Sequence, residues 1–268
     1  MIPTAEERVA RLLNEFQPYL REIVLVGGWV HSLYLSSLNE RGSVFTEDID
    51  ISIPPELPSG GRPTLLELAE RAGFERDPIS EMEGAGVWMV SVNADGMSVP
   101  IDFLTEGLPR TPIPIEGQPG LTAQGYPGQR VLLENTQILL VGPEFHSTVT
   151  RPIPVLVPTL GAYVLQKGVS AGTRNNAQKK AKDIVYMLEI VSHLKLGPSA
   201  LSQLREVSGR YGPEARAFRE TVREALGNSR TLDDVIDQLL LSGSRRGEPE
   251  SLKAQQRAWL RRMQDHVD

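Results

Sequence analysis

Apolar positions along the first 150 residues change period several times, and each change marks an element. Val9, Leu12, Leu13, Phe16 and Leu20 recur at helical spacing and predict an amphipathic helix over residues 5–20. Thr4 and Glu7 stand at capping-box spacing before it. Residues 23–26 are a β-branched run that stops at Gly27-Gly28 and reads as a buried strand. Residues 29–38 return to helical spacing. Residues 48–53 (DIDISI) alternate strictly, as a strand does, and Pro54-Pro55 end the run. A helix follows over 63–72, with proline in its first turn. Residues 86–93 and 97–104 predict two strands around Ala94-Asp95-Gly96, a hairpin signal. Pro100 marks the second as an edge strand or a bulge. The Gly/Pro-rich residues 107–129 read as loop, an ordered crossing segment or a lid. Residues 130–141 predict a strand pair or one bent strand, and 151–158 an extended linker.

Beyond Pro158 the pattern is helical throughout. Helices are predicted over 159–170, 177–194, 199–209, 213–226, 231–240 and 250–264. The chain therefore divides into an α/β region, 1–157, and a helical region, 158–268.

Composition narrows the chemistry. The chain has 268 residues and no cysteine, which excludes disulfides, thiolate metal sites and thiol nucleophiles. Its four histidines, His31, His146, His193 and His266, are scattered. No apolar run approaches the roughly 20 residues that span a bilayer, and the charged start lacks a leader's apolar stretch. A cytoplasmic protein without membrane contact is expected. Net charge is −6, unevenly spread. Residues 1–157 hold 10 Lys/Arg and 21 Asp/Glu, whereas 158–268 hold 18 and 13. A basic half after an acidic one suits a polyanionic partner, although a helical region with ordinary surface arginines has the same balance.

The candidate chemistry is carboxylate. In DIDISI the alternation puts Asp48, Asp50 and Ser52 on one strand face and three isoleucines on the other. Carboxylates at i and i+2 repel unless a cation lies between them, and Mg²⁺ takes carboxylate oxygens together with substrate phosphates. Asp102 is a third acid inside an apolar strand. Gly27-Gly28, at a strand-to-helix turn, lets backbone N–H groups approach a phosphate. Each feature alone also suits an ordinary sheet surface or a tight turn. Their combination favours a site.

The order VLVGGWVHSLYL, TEDIDISI and PIDFL resembles the DNA polymerase beta-like nucleotidyltransferase superfamily. The resemblance implies a mixed sheet flanked by helices, an α/β (α+β) fold, followed by a C-terminal helical bundle that completes the nucleotide and acceptor cleft. It implies that Asp48 and Asp50 hold two Mg²⁺ or Mn²⁺ ions on a nucleoside triphosphate. Asp102 becomes the third ligand and the base, and Gly27 and Gly28 cradle the triphosphate. Trp29 stands where many members carry Ser or Thr, and the 20-residue gap from Gly28 to Asp48 is longer than in many.

Farther on, Pro158, Lys167, Arg174 and Lys182-Asp183 resemble a segment of AbiEii-type toxin nucleotidyltransferases. That resemblance implies catalytic roles for Lys167 and Asp183. It implies nucleotide contacts from Gly27, Gly28, Trp29, Lys167, Arg174 and Lys182. From the residues alone, Lys167 either snorkels or points into a cleft, and Asp183 either pairs with it or touches nucleotide. Both resemblances together span about 20–195. They imply transfer of a nucleoside monophosphate to an RNA hydroxyl, a tRNA 3′ end among the candidates, and a cognate antitoxin as partner. Gly-Gly-Trp before Asp-Ile-Asp is also similar to aminoglycoside and lincosamide nucleotidyltransferases. A non-catalytic nucleotide-binding module on the same fold is the reading from a different class.

Overall fold

A computed structural model describes residues 4–38, 40, 46, 48–77, 89–92, 98–109, 111–241 and 248–267. The described residues form two compact units that divide between Pro158 and Thr159. Among them no helix is long and apolar enough to cross a membrane.

The first unit is built on a mixed sheet. Its path runs β1 (Val24–Val26), β2 (Ile49–Ser52), β5 (Ser98–Thr105), β4 (Met89–Val92) and β3 (Glu75–Arg76). The β2–β5 pair is parallel, and the other neighbours on this path are antiparallel. β7 (Thr122–Gly125) continues in parallel from the end of β5 and pairs with β6 (Pro112–Pro114). The isoleucines of β2 and their partners Ile101 and Phe103 are buried. α1 (Ala5–Glu15) lays Val9, Leu12 and Leu13 over Leu25, Ile49 and Ile51. Burying that face leaves the opposite face of β2 for the aspartates. Thr4 caps α1, its hydroxyl accepting from the Glu7 N–H at 3.2 Å.

Five local expectations are corrected. The helix predicted over 63–72 is α3 (Leu65–Arg71), whose N-cap is Thr64 in a full capping box with Glu67. Pro63 therefore lies ahead of the helix rather than in its first turn. Pro100 lies in a central strand, not at an edge. It pairs with Val90, one residue before the parallel pairing with β2 begins at Ile101. The Gly/Pro-rich stretch 107–129 carries β6 and β7 instead of being only loop. Residues 130–141 divide into α4 (Gln129–Glu134) and β8 (Thr136–Val141). The Glu106 carboxylate accepts from the N–H groups of Gly128 and Arg130, a distant cap that local pattern does not reveal. Residues 151–158 are no linker. β9 (Ile153–Pro158) pairs antiparallel with β8 along its whole length. The hairpin turn predicted at 94–96 lies outside the described residues.

α2 (Gly28–Ser36) joins the site to this second ribbon. Tyr34 on α2 donates its hydroxyl to the Pro158 carbonyl at 2.5 Å and accepts from Gln137 Nε2 at 2.6 Å. Burial raises the Tyr34 phenol pKa well above its ordinary value, against the smaller opposing effect of the Gln137 hydrogen bond.

The second unit is helical: α5 (Leu160–Thr173), α6 (Ala177–Ser192), α7 (Gly197–Arg210), α8 (Gly212–Gly227), α9 (Ser229–Leu241) and α10 (Pro249–Val267). α5 is buried on every side from Leu160 to Ala171 and packs against α6, α7 and α8. Two glycines permit that closeness. A Cβ on Gly161 would meet the α7 backbone at Gln203 C, 2.3 Å away, and one on Gly168 would meet the Phe218 ring at 2.2 Å.

Candidate active site

The acid site grows from strand register. Asp50 has two lateral neighbours, Val26 on β1 and Asp102 on β5. Register partners on adjacent strands lie about 4.8 Å apart and project to the same face. Pairing β2 with β5 in this register thus sets two carboxylates side by side, although 52 positions separate them in the chain. Asp50 and Asp102 are half-buried, and Asp48 is exposed just ahead of β2.

The turn after β1 closes on this pair. Gly27 has φ 72° and ψ −153°, a combination open essentially only to glycine. A Cβ there would lie 1.8 Å from Asp50 Oδ2. Main chain and carboxylate therefore meet without room for a side chain. Gly28 opens α2, so the first N–H groups of that helix lie next to the turn. Trp29 follows with its ring in the core, edge-on to Phe145 at 6.0 Å between centroids. What α2 offers at that position is backbone.

The donor set is one that a hard divalent cation takes: carboxylate oxygens on adjacent strands, with no competing sulfur. Among the described residues no three His, Asp or Glu side chains are gathered closely enough to hold a metal ion as they stand. Asp50 and Asp102 are thus the paired carboxylates of the candidate site, and Asp48 precedes Asp50 by two positions in the chain.

The helical unit holds a second polar centre. Lys167 on α5 and Asp183 on α6 are both buried, and Lys167 Nζ donates to Asp183 Oδ1 at 3.1 Å. Arg174 Nε donates to Asp183 Oδ2 at 3.1 Å. One carboxylate therefore serves two cations. Lys167 does not snorkel to solvent; it is buried and paired with Asp183. Lys167 also stands over two aromatic rings, Tyr163 at 5.7 Å and Tyr186 at 5.1 Å. Lys182 Nζ is 5.9 Å from the same Tyr186 ring. Lys180 Nζ on the same helix pairs with Glu224 Oε1 at 2.6 Å. Residue pattern did not single out the tyrosines. Their signal was present as helical spacing, Tyr163 four before Lys167 and Tyr186 three after Asp183.

An aspartate pair in parallel register, an acid two residues ahead of it and a glycine turn closed on the carboxylate form an arrangement suited to nucleotidyl transfer. The sequence agrees independently. A nucleotidyltransferase family model matches residues 5–200, and the chain belongs to that family. The match reaches from α1 into α7 and supports nucleotidyl transfer as the activity. No curated protein sequence matches the chain significantly.

Proposed function

We propose that the protein is a metal-dependent nucleotidyltransferase that moves a nucleoside monophosphate from a nucleoside triphosphate to an RNA hydroxyl. The observation that carries this reading is the Asp50–Asp102 register with Gly27 closed against Asp50. Asp48, Asp50 and Asp102 would hold Mg²⁺ or Mn²⁺. Bound there, the metal supplies charge neutralisation at the triphosphate and lowers the pKa of the acceptor hydroxyl.

The remaining work belongs to the chain. Asp102 accepts the proton of the attacking hydroxyl. Backbone N–H groups at Gly27 and Gly28 bind phosphate oxygens. The acceptor oxygen bonds to the α-phosphorus, the bond to the bridging oxygen breaks, and pyrophosphate leaves. In the helical unit Lys167, Arg174 and Lys182 bind polyphosphate, with Asp183 orienting Lys167 and Arg174. The basic balance of residues 158–268 supports RNA as acceptor, and the resemblance around Lys167 and Asp183 is what suggests a toxin-type role in the cytoplasm. A cognate antitoxin is the protein partner that such a role requires.

The test is label transfer. Wild type and Asp50→Ala are incubated with each α-labelled triphosphate, Mg²⁺ or Mn²⁺, and total cellular RNA. A labelled RNA band that the variant lacks is the expected result, with the variant's fold unchanged by circular dichroism. Equal labelling by Asp50→Ala would sink the mechanism. Asp50-dependent pyrophosphate release with aminoglycosides or lincosamides, and none with RNA, would replace the acceptor.

A further inference from the structure

Lys167 is a buried ammonium with three N–H donors and one hydrogen-bond acceptor, Asp183 Oδ1. Its other close neighbours are the faces of Tyr163 and Tyr186. An aromatic face attracts a cation through its quadrupole, but it takes no directional hydrogen bond away from a ligand. The same Tyr186 ring stands within cation–π range of Lys182. Two ammonium groups from α5 and α6 thus share one ring, and Arg174 reaches the same carboxylate as Lys167. Clustered cations repel one another, and the ring lowers that cost without neutralising them.

We propose that Tyr163 and Tyr186 are positioning residues. They form an aromatic socket that aims the Lys167 ammonium and, through the Tyr186 ring that Lys182 also approaches, gathers two cations for a polyphosphate chain. Asp183 fixes the third side. A carboxylate in place of either ring would neutralise the cluster, and an aliphatic side chain would leave the ammonium unsupported. The socket therefore selects ligands with linked phosphates over orthophosphate. This rests on the proposed reading of Lys167 as a phosphate contact.

The experiment uses the full chain and tripolyphosphate as the probe, with binding read by calorimetry. Lys167 is also followed by NMR, because ring currents move its Cε protons upfield when the socket is formed. Tyr186→Phe keeps the ring and is expected to bind within about two-fold of wild type, with the upfield shift retained. Tyr186→Leu is expected to bind roughly 10-fold more weakly and to lose much of the shift. Tyr186→Met, which fills similar core volume without a ring, replaces it where the leucine variant does not fold. Lys167→Met separates the two ideas. Lost binding in Lys167→Met beside full binding in Tyr186→Leu overturns the socket alone. Full binding in Lys167→Met overturns the phosphate reading and the socket with it.

Discussion

Replacing Gly27 by alanine would put a Cβ 1.8 Å from Asp50 Oδ2, 2.7 Å from its Cγ and 2.9 Å from its Cβ. Favourable heavy-atom separations are about 3.5–4.0 Å. Turning the carboxylate relieves the two outer contacts only, because Asp50 Cβ is fixed to the strand backbone. The left-handed backbone at φ 72° adds strain of about 1–3 kcal/mol for any L side chain. Overpacking adds about 1–3 kcal/mol. Gly27→Ala should therefore destabilise the first unit by about 2–6 kcal/mol. The two parts separate in a double-mutant cycle. Asp50→Ala deletes Cγ and Oδ2 but leaves the backbone strain at residue 27. In that background the cost of Gly27→Ala should fall by about 1–3 kcal/mol. Urea midpoints of the four proteins, followed by tryptophan fluorescence, measure the coupling. Additive costs, within about 0.5 kcal/mol, would refute the contact between turn and carboxylate. Gly27→Ala should also abolish nucleotidyl transfer, since it displaces the carboxylate proposed as a metal ligand.

Three further expectations follow from the packing. Asp183→Asn leaves the buried Lys167 ammonium without its carboxylate and should cost about 3–5 kcal/mol, read as a lowered thermal midpoint; an unchanged midpoint would contradict the buried pair. Gln256 on α10 is 1% exposed, with neither carboxamide atom hydrogen-bonded, within the apolar stripe Leu252, Leu260 and Met263. Gln256→Leu should stabilise the helical unit by about 1–3 kcal/mol, and a destabilised variant would show that the carboxamide has a partner. The raised Tyr34 phenol works in the alkaline range. Unfolded tyrosine ionises near pH 10 while the buried phenol keeps its proton, so its contribution is complete below that pH and is lost as pH rises above it. Urea unfolding from pH 9 to 11 should show stability falling with a slope of up to about 1.4 kcal/mol per pH unit, and Tyr34→Phe should reduce that slope.

Much of this protein is local and was legible in the sequence. The six C-terminal helices follow their apolar period, and observed ends lie within three residues of those expected. Alternation in DIDISI determined that its aspartates and isoleucines part to opposite faces, because side-chain direction along a strand depends only on neighbours one and two positions away. Glycines before a helix and acids after it were likewise readable in order.

The tertiary structure decided how distant pieces meet. Asp50 faces Asp102 only because β2 and β5 pair in one register, and a shift by one residue would set Asp50 against an apolar side chain instead. Gly27 is obligatory because another strand's carboxylate occupies the space where its side chain would be. α4 starts where Glu106 reaches back to cap it, and 151–158 became a strand because β8 offered an edge. Lys167 could have snorkelled on its helix pattern alone. Packing α5 among three other helices buries most of that side chain, and Asp183 with Arg174 and two tyrosine rings supplied the environment in which a buried ammonium can stand. Each of these contacts joins segments whose pairing depends on the whole chain's packing, which no local period encodes.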